Sequence, residues 1–179
     1  GKYHFISDTA LPTLGLKKGI AHPATRERRQ RFLDEGSETI QLLYNHPSVC
    51  YYTIFNEGWG QFSGAEKLYD AWKRLDPTRV YDTASGWFLP SRSDVQSEHV
   101  YFKKVEMQAV ELPLVLSEFG GYSCKLEGHA FNLDKTYGYR YFETAEALEE
   151  ALLALYREQI VPAIENGLSA AILTQVSDV

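Results

Sequence analysis

Val49-Cys50-Tyr51-Tyr52-Thr53-Ile54-Phe55-Asn56-Glu57-Gly58 and Leu112-Pro113-Leu114-Val115-Leu116-Ser117-Glu118-Phe119-Gly120 decide how this 179-residue chain is read. Both runs are rich in β-branched and aromatic residues, too short for buried helices, and closed by glycine, so they predict interior strands. A strand that is apolar at nearly every position is covered on both faces, which is the habit of parallel sheets. Each run ends in a carboxylate. That places an ionisable group at the rim of a sheet or barrel, where α/β enzymes keep their chemistry. Two carboxylates brought to one rim suggest an acid–base pair.

The rest of the chain extends the same alternation. Phe32, Leu33, Ile40, Leu43 and Tyr44 have helical spacing between about Ala24 and Tyr44, with Gly36 weakening the middle. Asn45-His46-Pro47 stops that helix before the first strand. Leu68, Tyr69, Trp72 and Leu75 mark a short helix over Ala65 to Leu75, ended by Asp76-Pro77. Arg79 to Thr83 and Glu98 to Phe102 predict further strands. A loop dense in Gly, Tyr and His follows Glu118. Thr144 can cap a long helix that Pro162 should kink or shorten, and Leu168 to Thr174 predicts a final apolar strand. Residues 1–23 carry only turn signals and predict an irregular segment. The expected organisation is therefore one domain over 1–179, with βα units over 24–179 and about five parallel strands flanked by helices.

Composition narrows the function classes. With 44% hydrophobic and 23% charged residues the chain is in the globular range rather than the disordered one. A net charge of −6 without a long basic run argues against a nucleic-acid partner. Arg26-Glu27-Arg28-Arg29-Gln30-Arg31 fits a solvated helix face better than a nucleic-acid patch. No apolar stretch approaches the roughly 20 residues that span a membrane. Cys50, inside a strand, and Cys124, in a polar loop, are expected to be unpaired, and the absence of a charged-then-apolar leader adds to an expectation of a cytoplasmic protein. His22, His46 and His129 show no ligand spacing with Asp, Glu or Cys, so no metal site is expected.

The ordered set of motifs resembles glycoside hydrolase family 2, the family of β-galactosidases, β-glucuronidases and β-mannosidases. Asn45-His46-Pro47-Ser48-Val49 leading to Phe55-Asn56-Glu57-Gly58-Trp59-Gly60 is similar to its acid/base region. Asp76-Pro77-Thr78-Arg79 with Ser85-Gly86-Trp87 is similar to the next strand, His99-Val100-Tyr101 to the sixth, and Pro113 to Gly120 to the nucleophile strand. Thr174-Gln175-Val176-Ser177-Asp178 resembles the end of the eighth. A (β/α)8 barrel takes about 250 residues. The resemblance thus implies a partial TIM barrel, strands four to eight, belonging to a larger enzyme. Such a remnant exposes strand edges, and self-association through them is expected.

What the resemblance implies about chemistry is a retaining β-glycosidase, β-galactosidase-like, acting on a carbohydrate β-glycoside. Glu57 would be the acid/base and Glu118 the nucleophile, about 5–5.5 Å apart. The plainer alternative is that each glutamate ends a strand and caps a helix or pairs with an arginine. Asn56 resembles the asparagine that bonds the sugar 2-hydroxyl, and Tyr101 the tyrosine that holds the nucleophile ionised; turn and core roles are their alternatives. His99 would line the pocket or be structural. Trp59 and Trp87 would stack on a pyranose or pack in the core. Thr174 stands where several members carry a platform tryptophan, so the stacking surface must come from elsewhere. No cofactor is implied for this chain; some members bind magnesium or sodium near the site, with part of the ligand set outside these residues. A silent carbohydrate-binding or scaffolding fragment is the reading from a different class.

Overall fold

The computed structural model describes residues 24–58, 60–86, 90–108 and 110–176. The expected irregular segment 1–23 lies outside them, as do Trp59, Trp87, Ser177 and Asp178. The chain divides into two compact units, one ending at Ser97 and one beginning at Glu98, each with its own hydrophobic cluster.

In the first unit, helix α1 (Arg26–Leu43) starts at Thr25, whose Oγ1 accepts from the Arg28 N–H at 3.3 Å. Its basic first turns are largely solvent-facing, as the sequence predicts. Strand β1 (Tyr51–Phe55) runs parallel to β2 (Val80–Ala84), with Tyr51 opposite Val80 and Phe55 opposite Ala84. Between them lies α2 (Glu66–Leu75), which buries Leu68 and Trp72. Ile54, Phe55, Tyr81 and Ala84 close the core from the strand side. Gly36 is explained by packing: a Cβ there would come within 2.1 Å of Trp72 Cζ2. The indole is pinned, since its Nε1–H donates to Ser37 Oγ at 3.1 Å. The glycine therefore gives up helix propensity for close approach of the two helices.

Asp76-Pro77-Thr78-Arg79 is the joint of this unit. Asp76 is fully buried, and its Oδ1 accepts from the Thr78 N–H at 2.9 Å and the Thr78 hydroxyl at 2.5 Å. Arg79 reaches back to donate to the Tyr44 carbonyl at 3.0 Å, tying the start of β2 to the turn after α1. Burial pushes the Asp76 carboxyl up, but the Thr78 donors with Arg79 and Lys73 outweigh it and hold it below the usual carboxylate range. Asp94 behaves likewise: burial raises it, while Lys73 Nζ, the Tyr81 N–H and the Tyr69 hydroxyl, each donating at 2.8 Å, hold it low.

The second unit holds the larger sheet, in the order β3 (Gln96–Val100), β4 (Leu114–Gly120), β7 (Leu168–Thr174), the division between the units falling inside β3. β4 and β7 are parallel. Leu114, Leu116 and Phe119 pack with Leu155, Ile160, Ala163 and Leu168 to form the core. Two elements break the expected long loop: β5 (Tyr122–Cys124) and β6 (Arg140–Phe142) form a short parallel pair. Thr144 caps α3 (Ala145–Leu155) by accepting from the Ala147 N–H at 3.1 Å. The expected disturbance at Pro162 appears as a π-helical turn over Tyr156–Ile160, where the Val161 N–H reaches back five residues to Tyr156. The chain continues as α4 (Val161–Glu165). Proline has no N–H for the regular helical bond, so the ladder is offset just before it.

Three expectations need correction. Cys50 is exposed and precedes β1, which starts at Tyr51; only the Cys50 carbonyl joins the ladder, accepting from the Val80 N–H at 3.0 Å. Cys124 lies in β5 rather than in a loop. β1 and β7 are not covered along their length: Thr53 is exposed, and so are residues 169–172 of β7, an edge strand of its sheet. The described strands form three separate sheets, so the fold is mixed α/β with parallel strand pairs, and these strands do not close into a barrel. No helix of the described residues is long and apolar enough to cross a membrane.

Candidate active site

Each unit carries one of the two expected carboxylates, and each carboxylate sits at a backbone irregularity. In the first unit β1 ends at Phe55 and Asn56–Gly58 form a single tight helical turn. Glu57 within it has φ 52° and ψ 24°, the left-handed region that side chains other than glycine rarely enter. Such a conformation persists only where its surroundings hold it. Ser85, buried at the end of β2, supplies part of the hold: its Oγ accepts from the Glu57 N–H at 3.1 Å and its hydroxyl donates to Asn56 Oδ1 at 3.0 Å. The Ser85 N–H in turn donates to the Phe55 carbonyl at 3.1 Å. With Oδ1 occupied, the Asn56 amide turns its Nδ2 donor away from Ser85, on a side chain that is exposed. Sequence reading takes Ser85 only as part of the Ser85-Gly86-Trp87 motif and misses this bridge.

In the second unit the pairing of β4 with β7 slips between Leu116 and Phe119: three steps along β4 match two along β7, Leu116 facing Ala171 and Phe119 facing Leu173. The extra residue makes a bulge at Ser117-Glu118, and both are half-buried while the flanking residues of β4 are buried. A bulge re-aims the side chain it carries. The Glu118 carboxylate meets two side chains from the end of β3 and the residue just beyond it. The Tyr101 hydroxyl donates to Glu118 Oε2, and His99 Nδ1 lies 3.4 Å from the same oxygen. Burial, and next this hydrogen bond, push the Tyr101 phenol well above its ordinary value, against an opposing bond from the Thr174 hydroxyl. Tyr101 therefore stays a proton donor to Glu118 across the physiological range.

Tyr139 is a further neighbour that sequence reading misses. Its ring lies 4.5 Å from that of Tyr101, centroid to centroid, and 4.8 Å from that of Phe102. Gly121 makes room for it: a Cβ there would come within 2.4 Å of the Tyr139 ring and 3.2 Å of the Tyr101 ring, and its φ of 66° suits glycine. The Gly121 carbonyl also accepts from the Tyr139 N–H at 2.7 Å. Of the expected site residues, then, Asn56 and Glu57 meet around Ser85, and His99 and Tyr101 meet on Glu118; Trp59 and Trp87 lie outside the described residues.

Comparison with known proteins agrees with this arrangement of elements. Residues 5–120 match the glycosyl hydrolases family 2, TIM barrel domain. Among solved structures, a calcium-binding mutant of Bacteroides uniformis β-glucuronidase 2 matches with a TM-score of 0.51 and 15% sequence identity. The match covers 86% of this chain and 22% of that one, so this chain spans about a fifth of that enzyme, and the likeness concerns the fold alone. No curated protein matches the sequence. The chain belongs to glycosyl hydrolase family 2, as part of its TIM-barrel domain.

Proposed function

We propose that this chain carries the two catalytic carboxylates of a retaining β-glycosidase, β-galactosidase-like, with Glu118 as nucleophile and Glu57 as acid/base. The observation that carries the reading is the treatment of Glu118. A bulge presents it, a tyrosine that keeps its proton donates to it, and a histidine nitrogen lies 3.4 Å from the oxygen that tyrosine engages. A carboxylate that accepts from a fixed donor is held in one orientation, which is what attack on an anomeric carbon requires.

In the first step Glu118 forms a bond to the anomeric carbon while Glu57 gives its proton to the departing glycosidic oxygen. In the second, Glu57, now a carboxylate, takes a proton from water as the water oxygen displaces Glu118 from the sugar. Asn56, with its Nδ2 turned away from Ser85, is suited to donate to the sugar 2-hydroxyl. His99 and Tyr101 act on Glu118 rather than on the sugar. The β-galactosidase-like reading rests on the Asn56-Glu57-Gly58-Trp59-Gly60-Gln61-Phe62 run, which resembles β-galactosidases more than β-glucuronidases or β-mannosidases.

A 2-deoxy-2-fluoro-β-galactosyl fluoride tests the proposal directly. A single adduct on Glu118, found by intact mass and peptide mapping, is the expected result; an adduct on another residue overturns the assignment of roles. One observation favours a second reading, a silent carbohydrate-binding piece: the described strands fall in three sheets and do not close. Glu57→Gln separates the two. Hydrolysis collapses if Glu57 is the acid, whereas a mere binder keeps its ligand affinity and shows no turnover to lose.

A further inference from the structure

The tyrosine that holds Glu118 is itself held, by a residue that the two-carboxylate reading leaves unused. In the sheet order β3-β4-β7, Tyr101 stands one residue beyond the end of β3 and Thr174 ends β7, so β4 and its Glu118 lie between them. Neighbouring strands are about 4.8 Å apart, which leaves about 10 Å to cross. The Tyr101 hydroxyl covers the first part, since it donates to Glu118 Oε2. The Thr174 hydroxyl covers the rest by donating to the Tyr101 oxygen. The backbone of β4 is shaped for that meeting. Gly120 faces Thr174 in the parallel register, and the Gly121 N–H donates to the Thr174 carbonyl at 2.6 Å. A Cβ on Gly120 would come within 2.7 Å of Leu173 Cδ1 and 3.4 Å of the Thr174 carbonyl oxygen, and one on Gly121 within 3.2 Å of the Tyr101 ring. Two glycines in succession thus let the end of β7 close up on β4 while Tyr101 lies against the same stretch.

A phenol oxygen carries one proton and rotates it to suit its neighbours. A donor on one side of that oxygen leaves the proton to the acceptor on the other, and hydrogen bonds in a chain polarise one another. We infer that Thr174 is a positioning residue for the proposed nucleophile: its hydroxyl, donated to Tyr101 across β4, fixes the Tyr101 proton on Glu118. The inference rests on the nucleophile role proposed for Glu118 and adds to it a residue from the third strand of the sheet. Thr174 acts on Glu118 through Tyr101, so its effect disappears once the Tyr101 hydroxyl is gone.

Thr174→Val keeps the branched shape and removes the hydroxyl, whereas Thr174→Ser keeps the hydroxyl. Each is made in the whole chain, alone and together with Tyr101→Phe. Urea titration reads the bond whether or not the chain turns over substrate. Loss of one hydrogen bond changes an unfolding equilibrium constant about 2- to 10-fold, so Thr174→Val should shift it by that factor alone and by less than about twofold in the Tyr101→Phe background. Hydrolysis of 4-nitrophenyl β-galactoside, taken where every variant is folded, reads the positioning. The expected kcat/KM falls about fivefold in Thr174→Val, stays within about twofold of the parent in Thr174→Ser, and changes by less than about twofold when Thr174→Val is added to Tyr101→Phe. Additive losses in either cycle, or a Thr174→Ser variant as slow as Thr174→Val, overturn the inference. Non-additive unfolding constants without turnover in the parent chain support Thr174 as the holder of Tyr101 and count against the glycosidase reading. Turnover with additive losses counts against the role of Thr174 alone.

Discussion

Removing one buried hydroxyl, in Ser85→Ala, tests whether the turn at Glu57 is held for catalysis. Ser85 makes two hydrogen bonds with its side chain, one accepted from the Glu57 N–H and one donated to Asn56 Oδ1. Each is worth about 0.5–1.5 kcal/mol net, so the variant should lose about 2 kcal/mol of stability. The same bonds oppose relaxation of a glutamate at φ 52°, a conformation that costs about 1–3 kcal/mol. Once they are gone the turn can relax, and a displacement of about 1 Å in a catalytic group costs on the order of 100-fold in rate. If the displaced group is the general acid, the loss depends on the leaving group. Phenyl β-galactoside, whose poor leaving group needs the proton, should lose about 100-fold in kcat/KM. The 2,4-dinitrophenyl glycoside, which leaves without protonation, should lose less than about tenfold. Rates are taken at low temperature, where the variant is folded, and urea titration gives the stability. Equal losses for both leaving groups would refute the acid role of Glu57, and unchanged stability would refute the structural role of Ser85.

Tyr101→Phe keeps the ring and removes the donor on Glu118; a charge-assisted bond of about 1.5–3 kcal/mol corresponds to a loss of roughly 10- to 100-fold in kcat/KM, measured with the same substrates. Gly36→Ala gains about 1 kcal/mol of helix propensity but drives a methyl into Trp72, so urea titration should show a net loss of about 1–3 kcal/mol, and a stabilised variant would contradict the packing argument. Asp76 and Asp94 are both held below the carboxylate values of an unfolded chain, so their contribution to stability is complete above about pH 4 and is lost as pH falls through their lower folded values. Melting temperature should therefore drop below about pH 4, and Asp76→Asn, less stable at neutral pH, should flatten that drop. Light scattering should detect self-association through the exposed strand β7, and a monodisperse monomer would argue against it.

The strands and the helices between them are legible because apolar runs and helical spacing are local signals. Leu114 to Gly120, Tyr51 to Phe55 and the Thr144 cap follow from residues within one turn or one strand of themselves. The error at Cys50 has a physical source. An apolar run gives the presence of a strand, while its first residue depends on the partner, here Val80 facing Tyr51 in the parallel register. Hydropathy likewise gives no notice that β7 is an edge strand. Its apolar residues read as interior, and whether they are covered depends on a neighbour that no local pattern names.

The candidate site divides along the same line. Glu57 and Glu118 stand out because each ends an apolar run, but what disposes them is non-local. The bulge at Glu118 exists only in relation to β7, some fifty residues further along, and the left-handed turn at Glu57 is braced by a serine at the end of another strand. Ser85 is marked only as part of a strand-end motif and Tyr139 not at all, because a hydroxyl at a strand end and a tyrosine in a polar loop are common. Only a close neighbour makes either of them consequential. Gly121 joins these cases, since the room it leaves lets Tyr139 back the Tyr101 ring whose hydroxyl reaches Glu118. A side chain at Gly121 should therefore displace Tyr139 and Tyr101 together, and weaken the hold on Glu118 without touching the carboxylate itself.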